Sequence, residues 1–169
     1  ADLGAWYVES SGAEQVEVYG LFPHMHERGH KWRATLLDGD EEQSQAANAA
    51  FEVAYSDLVA EGRTEALPGA ADTISDLRDR GIKVALTTGF SPTTRDAIID
   101  ALGWSNLIDL ALSPADVGRG RPFPDLNLTA LLRLGGTDVA AMATVGDTAF
   151  DVLAGLAAGA GVVSGVLSG

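Results

Sequence analysis

Two aspartates four residues apart, Asp147 and Asp151, follow directly on the apolar run Ala143-Thr144-Val145-Gly146. With 140–145 as a buried strand and 148–158 as a helix, Asp147 sits at the carboxyl end of the strand and Asp151 on the first helical turn. Both carboxylates then face the crevice where open α/β sheets bind ligands. Two hard oxygen ligands at such a point suit Mg²⁺, which takes one or two carboxylates, several waters and a substrate phosphate. The same pair also reads as a helix cap followed by a solvated first-turn acid that suits the helix dipole.

Two further groups fall at the ends of neighbouring apolar runs. Thr87-Thr88-Gly89 closes the run that starts at Ile82, and Gly120-Arg121-Pro122-Phe123-Pro124 lies in the loop after the run 107–112. A hydroxyl, a guanidinium and a carboxylate pair at one crevice make a phosphoryl site. Thr88 and nearby backbone N–H groups such as that of Gly89 hold phosphate oxygens, Arg121 offsets charge, and Mg²⁺ bridges the aspartates to the phosphoryl group. Taken singly, Thr88 is also an ordinary strand-end threonine and Arg121 a surface arginine fixed by its prolines. Their common position joins them.

The elements that must position these groups alternate in period. From Asp40 the chain turns Ala-rich, and Ala47, Ala50, Phe51, Ala54, Tyr55 and Leu58 recur at helical spacing up to Gly62. Ala66-Leu67-Pro68-Gly69 is a turn, and a second helix through Ala71, Ile74 and Leu77 closes at Gly81. A strand over 82–87, a helix from Ser91-Pro92 to Leu102, a strand over 107–112, a helix over 125–134, and the strands 140–145 and 161–167 around the last helix complete the pattern. Alternating helix and apolar strand predicts a parallel sheet covered on both faces.

The segments Lys83-Val84-Ala85-Leu86-Thr87-Thr88-Gly89-Phe90-Ser91, Gly118-Arg119-Gly120-Arg121-Pro122-Phe123-Pro124-Asp125 and Val145-Gly146-Asp147-Thr148-Ala149-Phe150-Asp151 resemble, in order, the second, third and fourth motifs of the haloacid dehalogenase (HAD) superfamily. The Gly-Arg-Pro-aromatic-Pro form is similar to its phosphonatase-like branch. The resemblance covers about residues 36–169. It implies an α/β, HAD-like Rossmannoid sheet with helices on both faces and a partial helical cap. It implies also that Thr88 binds phosphate, that Arg121 replaces the lysine usual elsewhere in the superfamily, and that Asp147 and Asp151 position Mg²⁺. It divides the chain after a β-rich segment over 1–37, read from its own composition, into a partial cap over 38–65 and an incomplete core over 66–169. The implied activity is Mg²⁺-dependent hydrolysis of a small phosphorylated or phosphonate compound.

Two departures qualify that activity. The superfamily's first motif, a strand ending in an aspartate nucleophile, is not recognisable here, and neither is the cap lysine of phosphonatases. A chain lacking the nucleophile is expected to be a catalytically silent domain that binds Mg²⁺ and phosphate. Trp32-Arg33-Ala34-Thr35-Leu36-Leu37-Asp38-Gly39-Asp40 superficially imitates the missing strand, with Asp38 in the nucleophile's place, but Gly-Thr does not follow and 36–42 reads more like the family's cap entry, Asp38 being a helix-entry acid. Loss of the central strand would leave its two neighbours with unpaired backbone groups, which makes self-association an expectation.

The first 37 residues are rich in aromatic and β-branched residues and read as strands and a turn. His24 and His26 would share one face of an extended segment, and the stretch around them is similar to the His-x-His strand of copper type II, ascorbate-dependent monooxygenases. By that resemblance the two imidazoles are copper ligands; as a bare pattern they are a metal-free surface cluster. The opening Ala-Asp and the early end after the last strand read as a fusion or a fragment.

Composition bounds these readings. The 169 residues carry 24 acidic and 11 basic side chains, a formal net charge of −13, which disfavours nucleic acid and anionic membrane as partners. Cysteine is absent, so thiolate nucleophiles and zinc–thiolate sites are excluded. No apolar run approaches the roughly 18 residues of a membrane span, and a cytoplasmic location is expected.

Overall fold

A computed structural model describes the backbone of residues 41–167 and the side chains from residue 49 onward. Five helices, α1 (Glu41–Ala60), α2 (Ala70–Asp79), α3 (Pro92–Ala101), α4 (Asp125–Arg133) and α5 (Ala149–Ala157), alternate with four short strands, β1 (Ala85–Thr87), β2 (Leu110–Leu112), β3 (Ala143–Gly146) and β4 (Val162–Gly165). This is the α/β arrangement expected from the alternating periods. Among the described residues no helix is long and apolar enough to cross a membrane.

The helices start and stop where local chemistry demands. Ser91 caps α3 by accepting the Thr94 N–H, with Pro92 in the first turn, where its missing N–H costs nothing. Thr148 and Asp151 close a reciprocal capping box on α5. At the other end of α2, Gly81 takes φ 79°, the left-handed conformation that glycine adopts without steric penalty. Its N–H reaches the Arg78 carbonyl at 2.8 Å while that of Ile82 reaches Leu77 at 3.0 Å, a Schellman closure of the last turn.

The strands pair in parallel as two separate ladders. Ala85, Leu86 and Thr87 lie opposite Leu110, Ala111 and Leu112. Ala143 through Gly146 lie opposite Val162 through Gly165. Among the described residues no ladder joins β1 to β3, as expected where a central strand is not among them. The strands also begin later than their apolar runs. The Val84 N–H donates to the Asp109 carboxylate at 2.9 Å, and the Asp138 side chain accepts from the Ala140 N–H, turning 139–141 into a 3₁₀ segment before β3.

Each ladder has its own packing. Leu112 and Leu126 are fully buried and, with Ala130, form a core against Ala85, Leu110 and Val117 that seats α4 on β1 and β2. Burying side chains of this size is worth about 2 kcal/mol each. Helix α5 lies on the β3–β4 pair through Gly155, where a Cβ would collide with the Thr144 hydroxyl. Val145 and Val162 remain exposed. Helix α1 packs against α3, and its Phe51 and Tyr55 meet Phe90 in the turn before α3, with Tyr55 and Phe90 centroids 4.6 Å apart.

Candidate active site

Thr88 leaves the end of β1 with its N–H on the Leu112 carbonyl at 3.0 Å, so the β1–β2 ladder holds it to its last residue. Its hydroxyl oxygen accepts the Phe90 N–H at 3.2 Å, which folds 88–90 over the strand end. A threonine hydroxyl also has a proton to donate.

Across from it, Arg121 Nη1 donates to Asp151 Oδ1. Arg121 Nη2 lies 3.5 Å from the position a Cβ on Gly89 would occupy. One guanidinium therefore lies beside Gly89 in the loop after β1 with one nitrogen and bonds the start of α5 with another. The pair is partly shielded, the side chains of Arg121 and Asp151 being 28% and 11% exposed.

Asp151 reaches this place because of its neighbours. Its second oxygen accepts from the Thr148 N–H at 2.9 Å and from the Thr148 hydroxyl at 2.6 Å. Gly146 ends β3 directly beneath it, and a Cβ there would run into the Asp151 side chain. Burial pushes the Asp151 carboxyl up, but the hydrogen bonds from Thr148 and Arg121 and the arginine's charge outweigh this and hold it below the ordinary aspartate range.

Asp147 differs from Asp151 in having an oxygen to spare. Its Oδ2 is buried and has no hydrogen-bond partner, an arrangement that costs desolvation energy unless something else satisfies it. Among the described residues no group of three or more His, Cys, Asp or Glu side chains could hold a metal ion. A cation at Asp147 would thus need water or a bound anion to complete its shell. A hard divalent cation fits that donor set.

The structure therefore brings Gly89, Arg121 and Asp151 into one neighbourhood, with Thr88 and Asp147 as sequence neighbours of its edges. His24, His26 and Asp38 lie outside the described residues. Glu52 was not singled out by its sequence. Its carboxylate accepts from the Ser91 N–H at 3.0 Å, the Ser91 hydroxyl at 2.6 Å and the Thr94 hydroxyl, three residues beyond Thr88. The one sequence signal is an acid placed between Phe51 and Tyr55 on the apolar stripe of α1.

A family model described as haloacid dehalogenase-like hydrolase matches residues 4–159. The chain belongs to that family. Within it, this HAD-like chain is similar to the phosphonoacetaldehyde hydrolases of two Pseudomonas fluorescens strains. The Pf0-1 protein is 35% identical over 105 residues and the SBW25 protein 38% identical over 105 residues; in each case the match covers 61% of this chain and 38% of the relative. A crystal structure of a phosphonoacetaldehyde hydrolase-like protein from Oleispira antarctica superposes with a TM-score of 0.68 at 32% identity, covering 76% of this chain and 46% of that one. A HAD family hydrolase from Deinococcus radiodurans, crystallised with bound phosphate and sodium, gives a TM-score of 0.57 at 26% identity, covering 74% of this chain and 52% of that one. The HAD-like chain thus spans well under half the length of the curated relatives it matches. These matches support the phosphonatase-like resemblance and lend copper no support.

Proposed function

We propose that this HAD-like chain carries the metal- and phosphate-binding half of a phosphonatase-like hydrolase, acting on a small phosphorylated or phosphonate compound with Mg²⁺ as cofactor. The observation that carries the proposal is the orphaned, buried Asp147 oxygen, set one residue beyond the glycine that supports the Asp151–Arg121 pair. In this reading residues 38–65 are part of a cap and 66–169 the catalytic core.

The residues divide the work by what their atoms have free. Asp147 offers the carboxylate oxygen for Mg²⁺, while Asp151, with both oxygens engaged, keeps Arg121 in place and adds negative charge beside the ion. Mg²⁺ bound there would supply Lewis-acid polarisation of a phosphoryl oxygen. Thr88 donates its hydroxyl proton to a second phosphate oxygen, and of the N–H groups in the 88–90 turn that of Gly89 is left for the same task, those of Thr88 and Phe90 being taken by the Leu112 carbonyl and the Thr88 hydroxyl. The Arg121 nitrogen near Gly89 offsets the charge on the phosphate. Fixed donors of this kind act without reorganising when charge develops on the phosphoryl group. Attack on phosphorus requires a carboxylate nucleophile at the same crevice. Asp38 is the residue of this sequence to test in that role.

A second reading is binding of Mg²⁺ and phosphate without turnover, which follows if no carboxylate of this chain takes the nucleophile's place. Hydrolysis of p-nitrophenyl phosphate with and without Mg²⁺ separates the two. The hydrolase reading predicts Mg²⁺-dependent turnover that is lost in Asp147→Asn and in Asp38→Asn. Phosphate binding with no turnover selects the silent domain, and turnover indifferent to Asp147→Asn rejects both.

A further inference from the structure

Helix α1 brings the Glu52 carboxylate to the loop assigned to phosphate. Glu52 accepts the Ser91 N–H and hydroxyl at 3.0 and 2.6 Å, and the hydroxyl of Thr94. Thr94 is 1% exposed, so its hydroxyl has no recourse to water. Ser91 is also the residue that caps α3, its hydroxyl accepting the Thr94 N–H at 3.2 Å. An anion at this helix start is favoured by the helix dipole as well as by the three donors. Phe90 sits between the two anchor points. Its ring stacks on Phe51 and contacts Tyr55, both from α1, and its N–H holds the Thr88 hydroxyl oxygen. The path from Glu52 to Thr88 is thus continuous: carboxylate, Ser91, Phe90, Thr88.

We infer that Glu52 is a positioning residue, whose carboxylate locks α1 to the turn 88–91 so that the seating of α1 sets the geometry of the groups that hold phosphate. This rests on the phosphate-binding reading of Thr88. Because α1 lies in the segment assigned to the cap, the same lock lets cap position and phosphate binding bias one another. Such coupling must be reciprocal in free energy.

The test uses the ¹⁵N-labelled full chain, titrated with inorganic phosphate in the presence of MgCl₂, as wild type, Glu52→Gln, Glu52→Ala and Asp57→Asn. Asp57 is an exposed acid on the same helix and serves as the control. The Gln variant keeps size and one acceptor, so it reports on the lock if the Ala variant fails to fold. The lock predicts displaced amide resonances for Thr88, Gly89 and Phe90 in Glu52→Gln, resonances of β4 unmoved, and phosphate affinity weaker by about tenfold. In a Thr88→Val background the same Glu52→Gln change should have little further effect on affinity, a non-additivity that a general loss of stability would not produce. Loop amides at their wild-type positions, or an affinity within about twofold of wild type, would overturn the inference. If the wild type binds no phosphate, the site reading fails, and the amide comparison alone decides whether α1 controls the loop.

Discussion

Replacing Asp151 with alanine removes two kinds of interaction at one stroke. The first is the capping box on α5, in which the carboxylate accepts from the Thr148 N–H and hydroxyl; loss of such a cap costs about 1 kcal/mol. The second is the pair with Arg121. An exposed pair is worth about 0.5 kcal/mol, whereas breaking a fully buried one costs about 3–5 kcal/mol. With the arginine 28% and the aspartate 11% exposed, this pair lies between, at about 1–2 kcal/mol. The sum is about 2–3 kcal/mol at neutral pH, measurable as a fall in the urea midpoint followed by far-UV circular dichroism. A cycle with Arg121→Met isolates the pair, and its coupling should be about 1 kcal/mol. The carboxyl is held below its ordinary range in the folded chain. Its stabilisation is therefore complete above the ordinary aspartate value and fades as pH falls through the lower, folded value, so wild type and variant should converge in acid. A destabilisation under about 0.5 kcal/mol, or additivity in the cycle, would refute the reasoning.

Three further outcomes follow from packing and backbone. Leu126→Ala, at a residue 1% exposed in the β1–β2 core, should cost about 2–5 kcal/mol in the same urea assay. Gly155→Ala drives a Cβ into the Thr144 hydroxyl and against Val163 and should cost about 1–3 kcal/mol, part of which Thr144→Ala should restore in the double variant. Gly81→Ala forces an L side chain into φ 79°, with open space around the added Cβ, and should cost about 1–2 kcal/mol through backbone conformation alone.

The elements most legible in the sequence were those governed by neighbours along the chain. Ser91-Pro92 and Gly81 mark helix ends by local hydrogen bonds, so their positions follow from spacing, whereas the cap of α5 falls on Thr148 and not on Asp147, with Asp151 engaged and not solvated. Strand starts were less legible. The apolar run from Ile82 suggests pairing three residues before β1 begins, because Asp109, 25 residues away, takes the Val84 N–H. The gap between the two ladders of the described residues matches the expectation that a strand stands between them which the run from Ile82 and the run from Ala140 do not supply. Thr88 and Asp147 were singled out because each stands at the end of an apolar run, Arg121 because it lies in the loop after the next run and Asp151 because it follows Asp147 on the first helical turn. The partnership of Arg121 with Asp151 spans 30 residues, and that of Glu52 with Ser91 spans 39. Such contacts leave no local trace beyond an acid set among aromatics.

The central claim is that Asp147 and its neighbours form a joint site for Mg²⁺ and phosphate. Isothermal titration of inorganic phosphate into the chain, with Mg²⁺ and again with EDTA, tests it most directly when run beside Asp147→Asn. The account predicts saturable, one-site binding that disappears both with EDTA and in the variant. Binding that survives either change, or no binding by a wild-type chain that unfolds cooperatively, would contradict it.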